Sequence, residues 1–161
     1  MDSVIRDVLR AKGGDVQGVP PDTPVFHAIE RMNRMRIGSL LVMDERRIHG
    51  IFSERDVLIR VVTAERNPRD VCVAEVMTKS ISTAAPEDRV TDILALMTRR
   101  RIRHVPVLSR ERLVGLVSIG DLTKWITDSL RREVEDLSTY ITSPYVLSPQ
   151  SRARSSGDLM G

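Results

Sequence analysis

Cysteine is nearly absent. A single residue, Cys72, rules out a disulfide framework and a thiolate metal cluster, and it points to a reducing compartment, read here as the cytoplasm. Aromatic residues make up 3% of the chain, too few for the stacking platforms that hold single-stranded nucleic acid. No apolar run approaches the roughly 20 residues that span a bilayer, and Met1-Asp2-Ser3 does not open a secretory signal, so no membrane partner is expected. Lysine occurs only at positions 12, 79 and 124, so the modest net charge of +3 rests on arginine. His27, His49 and His104 stand apart from one another, and none has a cysteine at metal-ligand spacing. No metal is expected to be needed for the fold.

What the chain does have is a repeat. Shifted by 65 residues, Pro21, Val25, Met32, Arg36, Ile37, Val42, Arg47, Gly50, Ser53 and Asp56 meet Pro86, Val90, Met97, Arg101, Ile102, Val107, Arg112, Gly115, Ser118 and Asp121. An internal repeat decides architecture before any single motif does. Each copy reads helix, strand, strand, helix. In the first, Thr23 and Pro24 open a helix whose apolar positions, Val25, Ala28, Ile29, Met32 and Met35, follow helical spacing, and Gly38 closes it. Leu40–Met43 and Ile48–Phe52 read as strands, and Ser53 opens a second helix reaching about Ala64. The second copy has Asp88 as the helix cap and strands at Val105–Leu108 and Leu113–Val117. Its last helix opens at Ser118 and runs to about Leu137.

Ahead of each copy lies a similar short segment, Asp7-Val8-Leu9 and Glu75-Val76-Met77. The first carries an insertion of three residues around Gly13-Gly14. Neither copy can cover both faces of its small sheet alone, so the fold expected is α/β, two repeats packed as one pseudo-twofold module. The repeats span residues 3–66 and 71–130. Residues 131–161 continue the last helix and end in a flexible tail, where Tyr140, Ile141, Tyr145, Val146 and Leu147 offer a docking segment.

Chemistry concentrates where a strand hands over to a helix, in Gly50-Ile-Phe-Ser53-Glu-Arg-Asp56 and Gly115-Leu-Val-Ser118-Ile-Gly-Asp121. Two readings fit. Ser-x-x-Asp at a helix start is a capping box. The same geometry offers a helix N-terminus and a hydroxyl to a phosphate, while the carboxylate accepts the two hydroxyls of a ribose. Arg99-Arg100-Arg101 and Arg103 likewise read either as a solvated helix end or as guanidinium forks for phosphate. No basic recognition helix with a supporting motif is visible, which argues against nucleic acid as a partner. His27 reads as structural, and Cys72 and the methionines as core packing.

The doubled Gly, two apolar, Ser, two residues, Asp pattern, with Glu75-Val-Met-Thr78 and Arg103-His-Val-Pro-Val107, resembles a tandem pair of CBS domains, named for cystathionine β-synthase. The resemblance covers about residues 3–130. It implies an α/β module that binds adenosyl ligands between its repeats and assembles as a homodimer. Carried over residue by residue, it makes Asp56 and Asp121 ribose ligands, and Ser53 and Ser118 ribose or phosphate contacts. Val16, Leu40, Ile81 and Val105 then line the adenine slots, with Pro106 in the same strand as Val105. Arg103 and His104 stand where the first repeat has Gly38 and Ser39, so the Ser118–Asp121 site gains phosphate donors. Glu54 would repel phosphate if it faced inward, and Arg55 can reach across the cleft. AMP is the first expected ligand, with ATP, ADP or NAD(H) as others.

The leading function is therefore a regulatory binding module that acts through ligand-dependent conformation on a protein effector. A ligand-free dimerisation scaffold is the alternative. An enzyme would require a nucleophile–base pair or a metal cluster, and neither is evident in the sequence, so none is expected.

Overall fold

A computed structural model describes residues 3–45 and 47–142. Helix α1 (Ile5–Lys12) and strand β1 (Gly18–Val19) precede α2 (Val25–Met35), β2 (Ser39–Met43) and β3 (Ile48–Ser53). A single turn, α3 (Glu54–Asp56), passes into a π-helical segment (Val57–Val62). Then come α4 (Val73–Val76), α5 (Val90–Arg100), β4 (His104–Ser109), β5 (Arg112–Ser118) and α6 (Ile119–Thr142). The doubled helix–strand–strand–helix plan is thus present. Residues up to Ile126 form one compact unit, and the chain from Thr127 forms another. On the α6 turns of that second unit, Leu130, Val134, Leu137, Tyr140 and Ile141 are exposed. The expected tail, with Tyr145, Val146 and Leu147, lies outside the described residues.

The repeat extends to backbone pairing. β2 runs antiparallel to β3 with Leu41 opposite Ile51, and β4 antiparallel to β5 with Pro106 opposite Leu116. β1 adds a parallel edge through Val19 and Val42. Its counterpart 65 residues on is a single parallel bridge between Ala84 and Val107. Ser39 to Val42 are buried in succession, as a strand covered on both faces requires.

Three local expectations are corrected. α2 ends at Arg36, not Gly38, and α5 ends in the same way at Arg101, each arginine in the left-handed conformation with φ of 54°. The cost of that conformation is offset by closing bonds. The Ile37 N–H donates to the Met32 carbonyl and the Ile102 N–H to the Met97 carbonyl, both at 3.0 Å. Thr23 and Asp88 are not the helix caps: Pro24 and Arg89 occupy those positions. The Asp88 carboxylate instead accepts the Ala85 N–H, 2.7 Å away, holding the turn before α5. Finally, the helix opened by Ser53 widens to π geometry over Val57–Val62, where the Thr63 N–H and hydroxyl both bond the Leu58 carbonyl.

The two hydrophobic cores do not follow the linear repeats, because the leading segments are exchanged. Ile5 and Val8 of α1 pack with Val90, Ile93, Met97, Val105, Val107, Val117 and Leu122 of the second repeat. Val71, Val73, Val76 and Met77 pack with Val25, Met32, Leu40 and Phe52 of the first. Backbone bonds secure both crossings: Ile5 N–H to the Asp88 carbonyl at 2.9 Å, and Val25 N–H to the Val71 carbonyl at 2.8 Å. The segments lie over the central glycines of β3 and β5. A Cβ on Gly50 would stand 2.6 Å from the Thr78 carbonyl oxygen, and one on Gly115 2.6 Å from the tip of Leu9.

This difference in neighbours yields a prediction. Gly50→Ala forces backbone aside and is expected to cost about 1–3 kcal/mol in chemical denaturation. Gly115→Ala meets only a rotatable leucine tip and is expected to cost less.

Candidate functional site

Both Ser-x-x-Asp motifs form helix starts, and both carboxylates fold back on them. In the first repeat, Asp56 Oδ2 accepts the Ser53 N–H at 2.9 Å and its hydroxyl at 3.0 Å. Its Oδ1 accepts the Thr78 hydroxyl at 3.0 Å, and the Arg60 guanidinium lies 3.7 Å away. Asp56 is 5% exposed. Its acceptor capacity is largely taken up inside the protein.

The second motif is more open and more charged. Asp121 Oδ2 accepts the Ser118 N–H at 2.8 Å, while the Asp121 N–H donates to the Ser118 hydroxyl at 3.1 Å. The same carboxylate oxygen also accepts the Lys12 ammonium at the end of α1, 2.5 Å away. The Asp121 side chain keeps 27% of its surface exposed. Burial alone would push its carboxyl up, but the bonds from Lys12 and from the Ser118 N–H and hydroxyl outweigh it. The carboxyl settles below its ordinary value and is ionised at neutral pH.

His104 pairs with Ser118 across β4 and β5. Burial, with the Lys12 and Arg103 charges, holds its imidazole below the ordinary value, against the opposing pull of Asp121 and Glu54. The ring is therefore neutral at pH 7 and offers a phosphate one N–H donor. The Arg103 carbonyl accepts the Ile119 N–H at 2.9 Å, tying that exposed residue to the first turn of α6. Glu54 lies beside Gly38, where a Cβ would stand 3.5 Å from its Oε2, and its charge favours the protonated His104 ring. Lys12, Arg103 and His104 thus converge with Asp121 and Glu54.

The remaining expected residues divide. Val16 and Ile81 are half-buried on the segments leading into β1 and toward Ala84. Leu40 and Val105 have no exposed surface and belong to the two cores, so they present no open wall to a ligand. Pro106 is buried, and its carbonyl accepts the Ala84 N–H at 2.9 Å. Arg55 is exposed. Sequence reasoning missed Lys12 and Thr78 as carboxylate partners. Thr78 closes Glu75-Val-Met-Thr78, and Lys12, one of three lysines, directly precedes Gly13-Gly14. His27 bonds Glu30 at 3.0 Å on an exposed helix face, in keeping with a structural role. A surface cleft of about 280 Å³ over α2, lined by His27, Glu30, Arg31 and Arg34 among others, contains none of the expected site residues. Its mixed surface charges carry no convergent chemistry.

A CBS-domain family model matches residues 5–63 and 73–128. The chain belongs to the CBS-domain family. It is 32% identical over 152 residues to the CBS domain-containing protein CBSX3, mitochondrial, of Arabidopsis thaliana, covering 89% of this chain and 74% of that one. It is also similar to the solved CBS-domain containing protein ATU1752 from Agrobacterium tumefaciens, with TM-score 0.72 and 33% identity over 76% of this chain and 98% of the other. Hypoxic response protein 1 of Mycobacterium tuberculosis is 29% identical over 124 residues, 76% of this chain and 85% of that protein. CBS-domain proteins are generally regulatory and ligand-sensing, and this chain carries two such domains in tandem. No described helix is long and apolar enough to cross a membrane.

The state of His104 makes acid stability testable. Its folded value lies below the ordinary 6.5, so the unfolded chain binds the proton first as pH falls. Its contribution is complete above that value and is lost as pH drops toward the folded value. His104→Gln is expected to flatten the decline in melting temperature between about pH 7 and 5, as thermal scans across that range will register.

Proposed function

We propose that this CBS-domain pair is a regulatory sensor of adenosine nucleotides, with AMP as the preferred ligand and ATP, ADP or NAD(H) as further candidates. The supporting observation is Asp121: an ionised, partly open carboxylate at a helix start, beside the cations Lys12 and Arg103 and the donor His104. A ribose diol at Asp121 and a phosphate at the cations match that distribution of charge. Asp56, enclosed by Ser53 and Thr78, makes the first cleft the weaker site. The chain acts as a homodimer and passes its state to a protein effector, without catalysis of its own. Leu58, Ile59 and Val62, each more than half exposed on the π-helical segment, favour self-association. Lone Cys72 fits a reducing interior, read as the cytoplasm; the Arabidopsis relative carries a mitochondrial name.

A ligand-free scaffold is the second reading. It is favoured by one observation: both aspartates already serve as caps. Thermal-shift measurements with AMP, ADP, ATP, NAD(H) and adenosine separate the two, because a ligand binding only the folded state raises the melting temperature by mass action. Nucleotide binding is expected to raise it; no shift with any compound supports the scaffold. Asp121→Ala is expected to weaken AMP binding by about 1–3 kcal/mol in calorimetry, through lost charge-assisted hydrogen bonds. Asp56→Ala is expected to spare AMP affinity but to destabilise the protein, by about 1–3 kcal/mol, since Ser53 and Thr78 lose their acceptor.

A further inference from the structure

The two aspartates occupy equivalent places yet receive different donors from the exchanged segments. The segment lying over the first repeat supplies Asp56 with a neutral hydroxyl, from Thr78. The segment lying over the second supplies Asp121 with a full positive charge, from Lys12. The cause is visible in chain length. α4 stops at Val76, whereas α1 runs on to Lys12 before Gly13, at φ of 92°, ends it. Helix α1, 8 residues long against 4 for α4, thus has a further turn that brings an ammonium to Asp121. The negative end of the α1 dipole favours a cation there as well.

Lys12 and a ribose diol compete for one carboxylate. A ribose diol held bidentately engages both carboxylate oxygens, and Oδ2 already accepts the Ser118 N–H and the Lys12 ammonium, so that hold requires the ammonium to give way. A neutral nucleoside that displaces Lys12 leaves a cation without its partner, beside Arg103 and His104. A nucleotide brings its own anion, to which the displaced ammonium can transfer at once.

On the nucleotide reading above, we infer that Lys12 is the phosphate-sensing residue of the second cleft: it masks Asp121 against neutral nucleosides and moves to the phosphate of a nucleotide. The lysine therefore sets selectivity more than overall affinity. Ile5 and Val8, with the backbone bonds to Pro86 and Asp88, hold α1 in the core independently of this side chain.

Calorimetry with AMP and with adenosine tests the inference on the full chain and on Lys12→Met, which keeps the aliphatic stem, and Lys12→Arg, which keeps the charge. The unaltered protein is expected to prefer AMP over adenosine by about tenfold or more, the scale of one charge-assisted bond. Lys12→Met is expected to shrink that preference to about threefold or less, with adenosine bound more tightly than before, and Lys12→Arg to retain it. An unchanged AMP-to-adenosine ratio in Lys12→Met, or an equal loss of both ligands, overturns the role of Lys12 while leaving the nucleotide reading intact. Failure of the unaltered protein to bind either compound overturns that reading and this inference with it.

Discussion

The exchange of leading segments governs the rest of the molecule. Each sheet is only two or three strands wide, and each core is completed by a segment that precedes the other repeat in sequence. Ile5 and Val8 complete one, and Val73 and Val76 the other. Residues such as these carry roughly 1.5–3 kcal/mol of transfer free energy apiece when fully buried. A repeat deprived of its borrowed segment would expose a face that its own chain has no means to cover. The close approach of the segments at Gly50 and Gly115 shows how little space separates segment from strand.

The same crossing shapes the chemistry. A carboxylate that caps its own helix is held rigidly, with one oxygen directed at a backbone N–H. The donor arriving from the exchanged segment then sets its character. A hydroxyl and near-complete burial make Asp56 a structural tie between the end of β3 and the chain around Thr78. An ammonium and partial exposure keep Asp121 ionised and accessible. The two Ser-x-x-Asp caps thus differ in how many of their acceptor sites the protein itself consumes.

Much of this was legible in the chain. The 65-residue register anticipated the strand pairs and the helix stripes, because apolar spacing reports directly on burial. Three features were not legible, each for a physical reason. Arginine has no intrinsic preference for the left-handed region, so the helix end at Arg36 was masked by the nearby Gly38, and the end at Arg101 has no glycine to mark it. Linear similarity between Asp7-Val8-Leu9 and Glu75-Val76-Met77 announces an equivalent segment but not the core on which it docks. Lys12 has no counterpart in the other segment, so no comparison of the repeats could single it out, and its contact with Asp121 spans most of the compact unit.

Symmetry in space becomes asymmetry in time. The first core draws on residues from Val19 to Met77, and the second on residues from Ile5 to Leu122. Closing the longer span costs only modestly more chain entropy, since that cost grows as the logarithm of length. Yet a chain emerging from its N-terminus has every part of the first core once Met77 is out, whereas α1 must wait for Leu122. Two halves that look interchangeable in the finished molecule thus become complete at different points of synthesis, and Asp121 follows Lys12 by most of the chain.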